Sequence, residues 1–168
     1  MTPYFITMNS PVGLINLGSD EWRLKSVSFG AGEIDFNPDI PDILSIAKKQ
    51  LEEYFSGSRR QFTIPVEPDG SVFQHQVWEQ VTAVDYGFTK SYGEIAHALG
   101  SAKFSRAVGM ANGKNPLPII IPCHRIIGQS GKLTGYAGGL ERKKWLLLHE
   151  QHYSGSGRLF QMTNNYSD

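Results

Sequence analysis

Cys123, His124 and Arg125 stand side by side behind an apolar run, in Ile119-Ile120-Ile121-Pro122-Cys123-His124-Arg125-Ile126-Ile127. Cys123 is the only cysteine of the 168 residues. It therefore has no internal disulfide partner and no resolving thiol, which argues against a redox enzyme and against a cysteine-rich zinc site. A free cysteine is commonly a small packing hydrophobe. Cationic neighbours change that balance, because they lower a thiol's pKa and enrich the thiolate, the species that attacks. Pro122 restricts Ile121 to extended backbone, which predicts a straight, stiff approach to Cys123. Neighbouring residues on such a chain face opposite ways, so His124 is expected to reach the sulfur through a water.

The elements that must hold this segment fall into two groups. Tyr4 to Met8, Val12 to Leu17 and Leu24 to Phe29 are β-branched or apolar runs separated by turn residues, and they predict three antiparallel strands. A helix from about Pro41 to Phe55 follows, its apolar face formed by Ile43, Ile46, Ala47, Leu51, Tyr54 and Phe55, with Gly57 as the stop. Glu67-Pro68-Asp69-Gly70-Ser71 reads as a linker. The second group opens with a helix over Val72 to Val84 that places Val72, Phe73, Val77, Trp78 and Val81 on one side. Ser91 and Glu94 form a capping box for a helix over Tyr92 to Ala98 that ends at Gly100. A further helix from Ser101 or Ala102 to Asn112 completes a helix-turn-helix, and Leu140 to Glu150 closes the group. The fold class is α+β: a small N-terminal α/β domain over 1–68, a mainly helical domain containing the helix-turn-helix over 72–152, and a loosely ordered tail over 153–168.

Formal net charge is zero, but its distribution is uneven. Residues 1–85 carry six Lys/Arg against twelve Asp/Glu, and residues 86–152 carry nine against three. A basic half attracts a polyanion locally, since fields are screened over about 10 Å at moderate salt. The second helix of the helix-turn-helix is rich in small residues, with Ser105, Ala107 and Gly109 around Arg106. Gly costs a helix about 1 kcal/mol against Ala, so such a face must approach something closely. Long base-reading side chains are scarce, which favours minor-groove or backbone binding of double-stranded DNA. No apolar run is long enough to cross a membrane and the N-terminus is not signal-like. A reduced, cytoplasmic compartment is expected, or the nucleus in a eukaryote.

Pro-Cys-His-Arg at 122–125, Asn115 eight residues before the cysteine, Tyr136 in Gly135-Tyr136-Ala137-Gly138-Gly139, and Glu150 on the closing helix together resemble the alkylguanine-DNA alkyltransferases. The close resemblance covers about Val77 to Glu150. It implies DNA repair by stoichiometric transfer of an alkyl group from oxygen 6 of guanine, and from oxygen 4 of thymine, to the protein's own cysteine. No metal or organic cofactor is implied, and the protein is expected to act as a monomer. The nucleotide would leave the duplex first. Arg106, which matches the family's arginine residue for residue, would fill the gap in the stack.

The resemblance also assigns the site. Cys123 is the nucleophile, His124 and Glu150 form the relay that activates it, and Tyr92 donates to ring nitrogen 3 of the base. Tyr136, Ala137 and Ile126 line the substrate pocket, Ala137 standing where some members have serine. Ser105, Arg106, Ala107, Gly109 and Asn115 are the DNA-binding residues, and the Asn115 amide also ties the turn before the isoleucine run. Arg125 is left to packing or charge neutralisation. Three rivals remain: a lesion-binding protein without catalysis, a cysteine hydrolase built on Cys123, His124 and Glu150, and a helix-turn-helix transcription factor. An intact Pro-Cys-His-Arg disfavours the first, adjacent Cys and His disfavour the second, and the lack of base-reading side chains disfavours the third.

Overall fold

The computed structural model describes residues 3–30 and 39–155, in two compact units: residues 3–30 and 39–69 with 116–120, and residues 70–115 with 121–155. The predicted tail beyond Gly155 lies outside the described residues.

The first unit is built on a three-stranded antiparallel sheet in the order β1 (Tyr4–Met8), β2 (Ile15–Ser19), β3 (Leu24–Phe29). The second strand starts later than the sequence predicts, because Ser10 turns the chain: its carbonyl accepts from the Gly13 N–H and its hydroxyl from that of Val12. Helix α1 (Asp42–Phe55) packs on the sheet through Ile43, Leu44, Ala47, Leu51 and Tyr54. Ile46, expected on that face, is exposed, and Gln50 is buried in its place, its side chain bonded to Thr63. Gly57 follows the helix with φ 83°, the left-handed stop the sequence predicts. The first residues of the predicted linker belong to the sheet, since Leu24 bonds Pro65 and Glu67 through its backbone.

The second unit holds α2 (Val72–Thr82), β4 (Lys90–Ser91), α3 (Tyr92–Ala98), α4 (Ser105–Gly113), β5 (Ile126–Ile127) and α5 (Leu140–Ser154). Helix α2 opens with a capping box of Ser71 and Gln74, so the linker's last residue is a cap. It buries Val77, Trp78 and Val81 and leaves Val72 in solvent. A 3-10 turn over Ala102–Phe104 precedes α4, and Gly100 takes φ 118° between the two helices of the helix-turn-helix. Trp78 donates its indole N–H to the Ala111 carbonyl at 2.9 Å, tying α4 to α2. Helix α5 runs four residues past Glu150, further than its sequence pattern indicates. No helix among the described residues is long and apolar enough to cross a membrane.

The approach to Cys123 is not straight. Ile119 has φ 75°, and Cys123–Arg125 form a 3-10 turn rather than a strand continuation. Pro122 keeps φ near −80°, but its ψ of 60° folds the chain so that the Cys123 N–H meets the Ile121 carbonyl at 2.7 Å.

Candidate active site

Two short devices bring the reactive segment to the helix-turn-helix. The parallel pairing of β4 with β5, Lys90 opposite Ile126 and Ser91 opposite Ile127, puts the start of α3 beside the residues that follow Cys123. The capping box of Ser91 and Glu94 then launches α3 with Tyr92 as its first residue. Two buried amides fix the cysteine turn: Asn115 donates to the Ile121 carbonyl at 2.8 Å, and Asn112 to the Cys123 carbonyl at 3.2 Å.

Glu150 reaches this turn from α5. Its carboxylate, 1% exposed, accepts from Nε2 of His124 at 2.7 Å and from Nε and Nη2 of Arg125, both at 2.9 Å. Burial alone would raise the Glu150 carboxyl, but the hydrogen bonds from His124 and Arg125 and the Arg125 charge outweigh it and hold the group well below the usual carboxylate range. Burial lowers the His124 pKa against the pull of Glu150, which favours the neutral imidazole. Its Nδ1 is buried without a hydrogen-bond partner among the described residues. The Cys123 thiol, 4% exposed, is pushed up to about 11 by burial, while hydrogen bonding by Asn115 and the Lys143 charge work the other way.

Lys143 is the residue the sequence reading missed. It is fully buried, and its ammonium donates to the carbonyls of Ile126 at 2.5 Å and Thr134 at 2.9 Å and lies 3.5 Å from the Tyr92 hydroxyl. A signal existed: Lys143, Leu146, Leu147 and Glu150 share one helical face, so an inward Glu150 implies an inward lysine two turns earlier. Burial lowers its pKa to about 8. Asn112 carried no such signal.

An open groove of about 710 Å³ runs past the site. Ser105, Arg106, Gly109 and Met110 of α4 line it, together with Tyr92, Tyr136 and Ala137. Burial raises the pKa of both Tyr92 and Tyr136, and the neighbouring Cys123 adds to both shifts. Of the predicted site residues, Ala107 is exposed on α4 but off the lining, Asn115 is buried at the cysteine turn, and Ile126 is buried in β5. Among the described residues no group of three His, Cys, Asp or Glu side chains is placed to hold a metal ion.

Comparison with known proteins decides the family. Residues 72–152 match the profile described as 6-O-methylguanine DNA methyltransferase, DNA binding domain, and residues 4–68 match that of the ribonuclease-like domain of the same proteins. The chain belongs to the 6-O-methylguanine DNA methyltransferase family. Its family relatives include the methylated-DNA–protein-cysteine methyltransferase of Methanosarcina acetivorans, 45% identical over 88% of this chain and 97% of the relative. The constitutive enzyme of that name from Bacillus subtilis is 38% identical over 90% of this chain and 96% of its own. The crystal structure of Mycobacterium tuberculosis OGT in complex with DNA superimposes with a TM-score of 0.80 at 42% identity, covering 89% of this chain and 93% of that one. The α+β architecture is that of the family.

Proposed function

We propose that this methyltransferase repairs DNA once per molecule, moving an alkyl group from oxygen 6 of an extruded guanine, or oxygen 4 of thymine, onto Sγ of Cys123. The observation that carries the reading is His124, held by Glu150 at 2.7 Å through Nε2 while its buried Nδ1 is unpartnered at the cysteine turn. That nitrogen takes the thiol proton, directly or through a water. Sulfur then displaces the alkyl carbon, the carbon–oxygen bond breaks, and its electrons stay on the guanine, whose ring nitrogen 3 accepts a hydrogen bond from the Tyr92 hydroxyl. The thioether has no ready route back, so the chain is spent.

Extrusion belongs to α4. Gly109 and Ser105 give the groove wall a low profile, and Arg106 stacks in the space the base vacates, offsetting unstacking of about a few kcal/mol. The base enters at Tyr92 and Tyr136, which line the groove and also interact with Cys123. One chain binds the minor groove as a monomer. Asn115 serves the cysteine turn rather than the DNA, Ala107 meets the backbone from the exposed side of α4, and Ile126 supports the pocket floor through its carbonyl bond to Lys143.

The test is a stoichiometric reaction of the protein with duplex DNA carrying 6-O-methylguanine, read by intact mass and peptide mapping. One methyl per chain, on Cys123, with guanine restored in the DNA, is the expected result. Tight binding with no gain in mass would mean a lesion-binding protein instead.

A further inference from the structure

A carboxylate removed from water must find donors, and the identity of those donors fixes where nearby protons sit. Oε1 of Glu150 accepts from His124 Nε2 and Arg125 Nη2, and Oε2 from Arg125 Nε and the Gly87 N–H at 3.2 Å. The guanidinium has little freedom to leave: Nη1 bonds the Val84 carbonyl at 2.7 Å, and the group lies 5.6 Å over the Tyr86 ring. The two cationic bonds from Arg125 neutralise Glu150 without transferring a proton to it, since a guanidinium stays protonated in proteins.

The consequence falls on His124. Facing an anionic oxygen, Nε2 must be the protonated nitrogen, which leaves Nδ1 bare. If Glu150 had only a neutral imidazole and one backbone N–H, its buried charge would draw a second proton onto the ring. An imidazolium protonated at Nδ1 cannot receive the thiol proton. The other charged group that bears on the ring is Lys143 of α5, and the Cys123 thiol of its own turn is uncharged at neutral pH. The buried residues of α2, which packs on the same turn, are Val77, Trp78 and Val81 and carry no titrating group in this range.

We propose that Arg125 is a positioning residue for alkyl transfer, acting through Glu150 to keep His124 in the neutral form with Nδ1 free. This rests on His124 being the base of the proposed reaction.

The experiment measures single-turnover transfer from free benzylguanine to Cys123 between about pH 5 and about pH 9, the range in which histidine titrates, for the wild type, Arg125→Lys and Arg125→Gln. In Arg125→Gln the acid limb of the profile moves up by about one to two pH units, with the alkaline plateau within about threefold of wild type. Arg125→Lys, which keeps the positive charge, leaves the limb in place. Nitrogen-15 spectra of the wild-type imidazoles at neutral pH provide an arm that needs no variant: His124 carries its proton on Nε2. A uniform fall in rate with an unmoved limb, or a wild-type His124 protonated on Nδ1, overturns the proposal. Absence of transfer in the wild type would instead remove the reading on which it rests.

Discussion

The ammonium of Lys143 lies 3.5 Å from the Tyr92 hydroxyl, and both donate to the carbonyl of Thr134, at 2.9 Å and 3.1 Å. A buried cation is thus set beside the phenol, and its charge is among the influences that lower the thiol pKa. Lys143→Met removes that charge at similar side-chain length. Thiol ionisation becomes harder and the phenol loses its neighbour, so transfer to Cys123 falls by about 10- to 100-fold, as expected for a lost opposite charge at close range. Single-turnover rates with free benzylguanine measure this, and wild-type rates in the variant would mean that the ammonium does not act on the sulfur.

A thiol at about 11 is ionised in about one molecule in ten thousand at neutral pH. In the proposed reaction the proton therefore leaves as the alkyl group arrives, with His124 receiving it. Labelling of Cys123 by a small alkylating reagent that does not use the pocket should be slow at neutral pH and climb about tenfold per pH unit towards pH 11. Rapid labelling at neutral pH, followed by mass, would show a preformed thiolate and make the imidazole unnecessary.

The site was legible in sequence wherever a local rule governs it. Ser91 and Glu94 cap α3 as their spacing predicts, and Gly57 and Gly100 stop the chain where only a left-handed residue fits easily. The strand and helix periods placed most of the core. Long-range packing hid the rest. Arg142-Lys143-Lys144 reads as a solvated basic run, yet Lys143 is buried because the two-residue pairing of β4 with β5 brings carbonyls to it. The left-handed Ile119 has no composition signal, since β-branched residues disfavour that conformation. Val72 and Ile46 fit the helical pattern and still face solvent, because an apolar stripe is buried only as far as its partner extends.

Gly109 separates the needs of the fold from those of DNA. A Cβ there would meet only Tyr92 Cδ1 at 3.8 Å and Cε1 at 3.9 Å, ordinary contact distances, and the residue lies inside α4. Gly109→Ala should stabilise the helix by about 0.5–1 kcal/mol, raising Tm by about 1–4 °C for a chain of this size. The added methyl stands on the groove lining, so repair of duplex DNA should fall while transfer from the free base is retained. Thermal unfolding and the two transfer assays, run together, check both halves; an unchanged duplex rate would show that α4 does not approach DNA closely.

Acid should weaken the fold from near pH 6.5 downward, and the sign follows from two buried groups. The His124 pKa lies below its ordinary 6.5 because burial disfavours the imidazolium. As pH falls through 6.5 the unfolded chain binds a proton there that the folded chain does not, and stability drops. The Glu150 carboxyl is held below its ordinary 4.5 by His124 and Arg125 against the upward effect of burial, so a second loss begins as pH falls through 4.5. Both contributions are present in full above the unfolded values and diminish as pH approaches the folded ones. Denaturant midpoints across this range should fall in two stages in the wild type. His124→Gln should remove the upper stage and Glu150→Gln the lower. A wild-type midpoint that stays level between pH 6.5 and pH 4.5 would mean that the imidazole is already protonated in the native state, and the neutral base assigned to alkyl transfer would have to be given up.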